Sequence, residues 1–386
     1  MPSSTRPQPI FAPRIPGAAS IGAPGTFCTL TNPTKVQRLI DTWCEVVGQT
    51  PGQRPVRAID TSNVYGFGTS EKLLAQTNLH GSAIDTKFYP LLPGDHSRTK
   101  LRQAYERMVA ALGGRRVRVL YLNAPDRATP FSETFAAMDE LYREGGFEML
   151  GLSNYRSYEV AEIMTLCQAN RWNAPRSNLV SKQTRLLMQE SNRLIPCLRH
   201  FNIKFAAYSP LAGGYLVGGM LFDPESVPSD DGIDVKLEEL NLQERSTHSP
   251  HPPLRAIQRR LKGSGSNFDP QNPFGMWYQN RYLHPSMNDA VMVLTAVLQR
   301  YNLSLHEASV RWLQHHSAML PTDIGIVFGG TRPDHVRETL GYCMYGPLPD
   351  AVVDAFDECY ASVKLDGGLP GYWCDPAWYN PGVHGY

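Results

Sequence analysis

Short apolar runs alternate with longer segments of helical spacing through most of this chain, and that alternation constrains the fold more than any other feature. Residues 18–21, 56–59, 82–87, 117–122, 147–152, 177–181, 203–208 and 324–328 read as strands. Between them lie segments such as 36–47, where Val36, Leu39, Ile40, Trp43 and Val47 share a helical face. Strands alternating with helices predict parallel βαβ units. Eight such units are the number that closes into a (β/α)8 TIM barrel. The other architecture with this alternation is an open doubly wound sheet, which usually carries G-x-G-x-x-G after its first strand. None stands there. The expected fold class is α/β, a barrel over residues 17–365.

Three segments depart from the pattern. Residues 1–16 are rich in proline and serine with two arginines, and read as a disordered lead-in. A long insert after the seventh strand covers 220–285, and its middle, 223–272, has little periodicity. Such a stretch is either a mobile lid or disordered. Aromatic character returns at Phe274, Trp277, Tyr278 and Tyr282, beside Arg281. That end of the insert either closes over the barrel mouth or packs against the outer helices. The tail, 366–386, places Tyr372, Trp373, Trp378, Tyr379 and Tyr386 among glycines and prolines, which predicts an extended surface segment.

Composition excludes several classes. Formal net charge is +1 at pH 7, so nothing points to nucleic acid or an acidic membrane surface. No apolar run approaches the ~18 residues that span a bilayer. The first residues lack the apolar core of a secretory signal. The 7 cysteines show no CxxC spacing, which argues against a disulfide framework or a zinc site and predicts no metal. A reduced cytoplasmic protein is the simplest expectation.

The chemistry gathers at strand ends. The second strand runs out on Asp60, a glycine-bearing loop follows with Tyr65, and the third strand ends on Lys87. Folds of this kind place their chemistry at that edge. A phenol, with a pKa near ~10, is a poor acid at neutral pH. An ammonium held by a carboxylate favours the phenolate and makes the phenol a usable proton donor. Spacing alone leaves an equal alternative, in which Asp60–Tyr65 caps a loop and Lys87 is a surface lysine.

The motifs Asp60-Thr61, Val64-Tyr65, Ser70-Glu71, Asp85-Thr86-Lys87, Gly151-Leu152-Ser153-Asn154-Tyr155 and Tyr208-Ser209-Pro210-Leu211-Ala212-Gly213-Gly214 stand in order at these strand ends. In that order they resemble the aldo-keto reductases, especially the aflatoxin-aldehyde reductase branch, over roughly residues 18–363. The resemblance implies NADPH across the C-terminal face of the barrel and hydride transfer to an aldehyde or ketone. Tyr65 would give the proton, Lys87 would polarise it, and Asp60 would hold the lysine. Ser153 and Asn154 resemble the pair that holds the nicotinamide carboxamide, and Tyr208 the ring that stacks on it. Ser209, Leu211 and Gly213 fall in the pyrophosphate loop. Gly329, Thr331 and Arg332, with His335 and Glu338 beyond, resemble the grip on the 2′-phosphate and adenine. A homodimer is the assembly that branch favours.

Two departures matter. The fourth catalytic position, usually histidine, is Asn123, which donates hydrogen bonds but does not titrate near pH 7. The sixth strand lacks the family's glutamine-tyrosine pattern, and Thr339 replaces an asparagine at an adenine contact. The resemblance therefore implies NADPH-dependent reduction of a small-molecule carbonyl substrate, in a specialised biosynthetic pathway. Two alternatives stay open: non-redox or imine-directed catalysis on this scaffold, and a low-turnover NADPH-binding sensor or accessory subunit. Trp277, Arg281 and Tyr282 are the candidates for substrate contact.

Overall fold

A computed structural model describes residues 13–49, 58–181, 191–218, 261–264, 266–272 and 275–369. Eight parallel strands close into a barrel in sequence order. They are β1 (Arg14–Gly17), β2 (Ala58–Asp60), β3 (Ala83–Phe88), β4 (Val117–Leu122), β5 (Met149–Ser153), β6 (Ser177–Ser181), β7 (Lys204–Tyr208) and β8 (Gly325–Gly329). Helices α1 (Pro33–Gly48), α2 (Thr69–Ala75), α3 (Arg98–Leu112), α4 (Phe131–Arg143), α5 (Ser157–Asn170) and α6 (Ser191–His200) link the strands through β7. Three helices, α7 (Gly275–Tyr282), α8 (Pro285–Gln299) and α9 (Leu305–His315), precede β8. Two more, α10 (Pro333–Tyr342) and α11 (Asp350–Leu365), follow it.

Alternation along each strand divides the apolar residues between two cores. Outward positions such as Ile59, Ile84, Leu120, Leu122, Leu150 and Phe205 pack against the helices. The α1 face of Val36, Leu39, Ile40, Trp43 and Val47 is buried there as its spacing requires. Inward positions Ile15, Val119, Tyr121, Leu179, Ala206 and Val327 fill the barrel. Tyr121 lies across Gly151, where a Cβ would stand 2.3 Å from its ring, so only glycine permits the approach.

The first strand corrects the sequence expectation. It is Arg14–Gly17, paired with β8 from Ile326 to Gly329, and not 18–21. Residues 14–16 of the expected disordered lead-in are therefore strand. Arginine and proline hid it, but Arg14 is buried and donates from Nη2 to the Cys343 carbonyl at 3.3 Å. Ala18 and Ile21 are buried in the turn that follows. Residues 1–12, most of the insert middle and the tail beyond Leu369 lie outside the described residues.

A third core sits beside the barrel and absorbs part of the insert. Tyr215, Leu216, Phe268, Tyr282, Met287 and Phe356 are among its members, so the chain after β7 is bound to α7, α8 and α11. Among the described residues no helix is long and apolar enough to cross a membrane.

Candidate active site

Asp60 closes β2 and Lys87 lies one residue before the end of β3. Their side chains are 5% and 4% exposed. Lys87 Nζ donates to Asp60 Oδ2 at 2.7 Å and to the Thr61 carbonyl at 2.6 Å. Tyr65 is its third neighbour, with the ring centroid 5.0 Å from the ammonium. Tyr65 opens a short helical turn, Tyr65–Gly68, with Gly66 and Phe67 in the left-handed region. Asn63 fixes that loop to β3: its N–H donates to the Lys87 carbonyl at 3.2 Å, and its Oδ1 accepts from the Tyr89 N–H at 3.2 Å.

Electrostatics follow from burial. Desolvation pushes the Asp60 carboxyl up to about 6 against the pull of Lys87, so it is still mainly ionised at neutral pH. Burial disfavours the Lys87 ammonium, but Asp60 and Tyr65 outweigh it and raise its pKa. Tyr65 goes the other way from the expectation. Lys87 does pull its pKa down, yet burial is the larger effect and raises it above the ordinary phenol value. The phenol stays protonated at neutral pH, held against a fixed cation.

Asn123 follows β4, half-buried, with its N–H donating to the Phe88 carbonyl at 2.7 Å. Its side-chain amide makes no hydrogen bond among the described residues. Asn154, in the left-handed region at φ 62°, ties three elements together. Its Nδ2 donates to the Asn123 carbonyl at 2.8 Å and to Ser153 Oγ at 3.1 Å. Its Oδ1 accepts from the Tyr208 hydroxyl at 2.8 Å. The Asn154 amide is therefore already engaged, and its contact with a carboxamide would require exchange of these bonds.

The chain after β7 passes through Ser209 at φ 52° and Gly213 at φ 69°. At the end of β8, Gly329 faces open space, with nothing within 4 Å of where its Cβ would lie. Arg332 caps α10, and its Nε and Nη2 donate to His335 Nε2 at 3.1 and 2.7 Å. The imidazole proton then resides on Nδ1, 3.3 Å from Thr331 Oγ1. Burial and Arg332 both lower the His335 pKa, which keeps it neutral. Glu338 accepts from the Tyr342 hydroxyl at 2.9 Å. Thr339 turns inward to His306 Nε2 at 3.1 Å and is 3% exposed, so it offers nothing to a ligand outside.

The aldo/keto reductase family profile matches residues 29–361. The chain belongs to the aldo/keto reductase family. It is similar to the aldo-keto reductase pigE of Monascus ruber, 32% identical over 369 residues that cover 91% of this chain and 95% of that one. It is also similar to aflatoxin B1 aldehyde reductase member 2 of Mus musculus, at 31% over 382 residues, 95% and 93% of the two chains. A glycerol dehydrogenase of Gluconobacter oxydans shares the fold, with a TM-score of 0.57 at 17% identity over 94% of each chain.

In this reductase the insert's aromatic end, α7, lies against the loop after β7. Tyr278 covers Gly213 so closely that a Cβ there would stand 2.4 Å from its ring, and burial raises its pKa. Trp277 and Arg281 stack, with the guanidinium 5.5 Å from the ring. Tyr282 is 1% exposed inside the third core, against Tyr215 at 6.2 Å. It is a packing residue and not a lining of the mouth, which corrects its place among the substrate candidates. Tyr278 is the member of this segment that faces the loop after β7, and it packs on Phe268 of the third core. The sixth strand also becomes readable: Leu179 pairs with Ser153 and points inward, so β6 gives an apolar surface there.

Proposed function

We propose that the protein reduces an aldehyde or ketone to the alcohol with NADPH, with Tyr65 giving the proton to the carbonyl oxygen. One observation carries this. A buried ammonium is bonded at once to Asp60 and to the Thr61 carbonyl and lies 5.0 Å from the ring centroid of Tyr65, at the mouth of an aldo/keto reductase barrel.

The residues at the mouth fit the dinucleotide. Arg332 and the N-terminus of α10 suit an extra phosphate. The left-handed backbone at Ser209 and Gly213 suits close approach to the pyrophosphate. The ring of Tyr208 and the hydroxyl of Ser153 border the place for a nicotinamide. When bound, NADPH supplies the hydride. Tyr65 then donates into the negative charge growing on oxygen, and Lys87 stabilises that charge in a site from which water is excluded. Asp60 keeps Lys87 in place. Asn123, with a free amide, is suited to hold the same oxygen as a fixed hydrogen-bond donor. Trp277 and Arg281 border the substrate side, and the substrate is a dedicated intermediate of a biosynthetic pathway.

The test is NADPH oxidation against a panel of aldehydes and ketones, compared with Tyr65→Phe. Loss of about 10²–10⁴-fold in kcat/KM is expected for removal of the acid. Equal rates in the two proteins would refute the assignment of Tyr65. NADPH bound without turnover of any carbonyl would make the chain a sensor. With deuterated NADPH, label absent from the product would remove hydride transfer.

A further inference from the structure

Beneath the catalytic ion pair lies a second pair that the proposed reaction does not use. Asp85 is the register partner of Asp60 on the adjacent strand, so both carboxylates point into the barrel side by side. Two like charges at that separation cannot both remain ionised in a dry interior unless each has its own cation. Asp60 has Lys87. Asp85 has Arg118, whose Nε donates to Oδ1 at 2.9 Å and whose Nη2 donates to Oδ2, with the Val119 N–H adding a third bond at 3.2 Å.

Arg118 reaches Asp85 through an irregularity in the sheet. β3 and β4 pair Ile84 with Val117 and then Asp85 with Val119, which leaves Arg118 as an extra residue. Val117 belongs to the outer core and Val119 to the inner one, so the extra residue shifts the alternation by one place. Such bulges re-aim side chains and recur next to active sites. A buried ion pair is weak evidence for stability, since apolar residues of equal volume often serve better. The irregular strand and the paired charges therefore call for another reason.

We propose that Asp85 and Arg118 are a positioning pair that governs the charge on Asp60 and, through it, the hold on Lys87. This rests on the catalytic assignment above. Asp60 is faced by Lys87 and Asp85 from β3, by Arg118 and the phenol of Tyr121 from β4, and by Tyr65 from the loop after β2. Asp85 favours the neutral carboxyl and Arg118 the carboxylate, with Asp85 the stronger of the two. The net effect is a more basic Asp60, which is a stronger acceptor for the lysine ammonium.

The experiment is the pH profile of kcat/KM for the wild type, Asp85→Asn, Arg118→Gln and the double variant. Asp85→Asn leaves a guanidinium that cannot shed its proton, so the acidic limb should move down by about one pH unit. Arg118→Gln should move it up, and the double variant should lie between. Carbon-13 titration of the Asp60 carboxyl in the cofactor-free protein should show the same order without relying on turnover. Limbs that stay together, or that move the same way in both single variants, overturn the proposal. If Arg118→Gln does not fold, Asp85→Asn against the double variant still decides: coincident limbs overturn it. A Tyr65→Phe protein as active as wild type removes the catalytic assignment instead, while the carboxyl titration still reads the Asp85–Arg118 effect.

Discussion

The two halves of the barrel interior are built from opposite materials. Between β2 and β4 the inner wall carries Asp60, Asp85, Lys87 and Arg118, each charge bonded to another. From β6 to β8 it carries Leu179, Ala206 and Val327. In the proposed reaction the charged half meets the carbonyl, where charge must be created and quenched. The apolar half lies under Tyr208 and Ser153, the place proposed for the nicotinamide, where a flat ring needs a surface and only a few polar groups at its rim. Chemistry here is a matter of paired charges in a dry wall. On the proposed reading, cofactor choice is left to the loops after β7 and β8.

The largest test of that contrast sets Lys87→Met against Leu179→Ala. Lys87→Met leaves Asp60 buried without its cation, and about 3–5 kcal/mol of stability should be lost. The same change should cost about 10³-fold or more in kcat/KM, because the acid and its cation act together. Leu179→Ala opens a cavity worth about 2–5 kcal/mol. Its kcat/KM should stay within about tenfold of wild type, since no reacting charge is touched. Urea unfolding and steady-state rates measure both. Comparable losses of activity in the two variants would erase the distinction between the halves.

A smaller effect is expected at the rim. Arg332→Ala removes hydrogen bonds to a charged group, worth about 1.5–3 kcal/mol, so the Kd for NADPH should rise about 10–100-fold. The Kd for NADH should not change, because NADH has no 2′-phosphate for the guanidinium to meet. Fluorescence titration of both nucleotides reads the difference. A parallel loss for NADH would place Arg332 in the architecture of α10 instead.

The charged half was also the more legible one. Asp60, Tyr65 and Lys87 could be chosen from sequence because each stands near the end of a strand or in the loop after one, and the barrel brings strand ends together. The span of β4 could be read for a similar reason: Val117–Leu122 is a nearly unbroken apolar run. What escaped was non-local. β1 contains an arginine and a proline, and only pairing with β8 makes Arg14–Gly17 a strand. Asp85 and Arg118 are 33 residues apart, and their meeting depends on a register shift that no periodicity records. Tyr278 gave an aromatic signal, but nothing in its segment distinguishes it from Tyr282, which is buried in the third core. Burial reversed the expected shift of Tyr65 for the same reason: spacing names the partner and says nothing about the solvent around it.

An effect on stability alone, with none on the chemistry, lies just outside the charged wall. Glu71, on α2, is 2% exposed and accepts from Thr86 Oγ1 at 2.6 Å. Burial pushes its carboxyl from 4.5 up to about 7, against the pull of Thr86 and Lys87. A raised pKa means that the folded protein binds this proton more tightly than the unfolded chain does. Its contribution to stability is therefore complete below about pH 4.5 and is lost as pH rises through about 7, with an upper limit of about 3 kcal/mol. His96 acts in the opposite sense, because burial lowers its pKa to about 4 and the unfolded chain takes up its proton first as pH falls. The wild-type curve thus sums opposing slopes, and only a difference curve isolates Glu71. Glu71→Gln keeps an acceptor for Thr86 and removes the titration. Unfolding free energies of the two proteins, measured from pH 5 to 8, should converge at the acidic end and separate in favour of the variant toward pH 8. A constant difference across that range would mean that Glu71 is ionised throughout, and that the low-dielectric wall stops at β3.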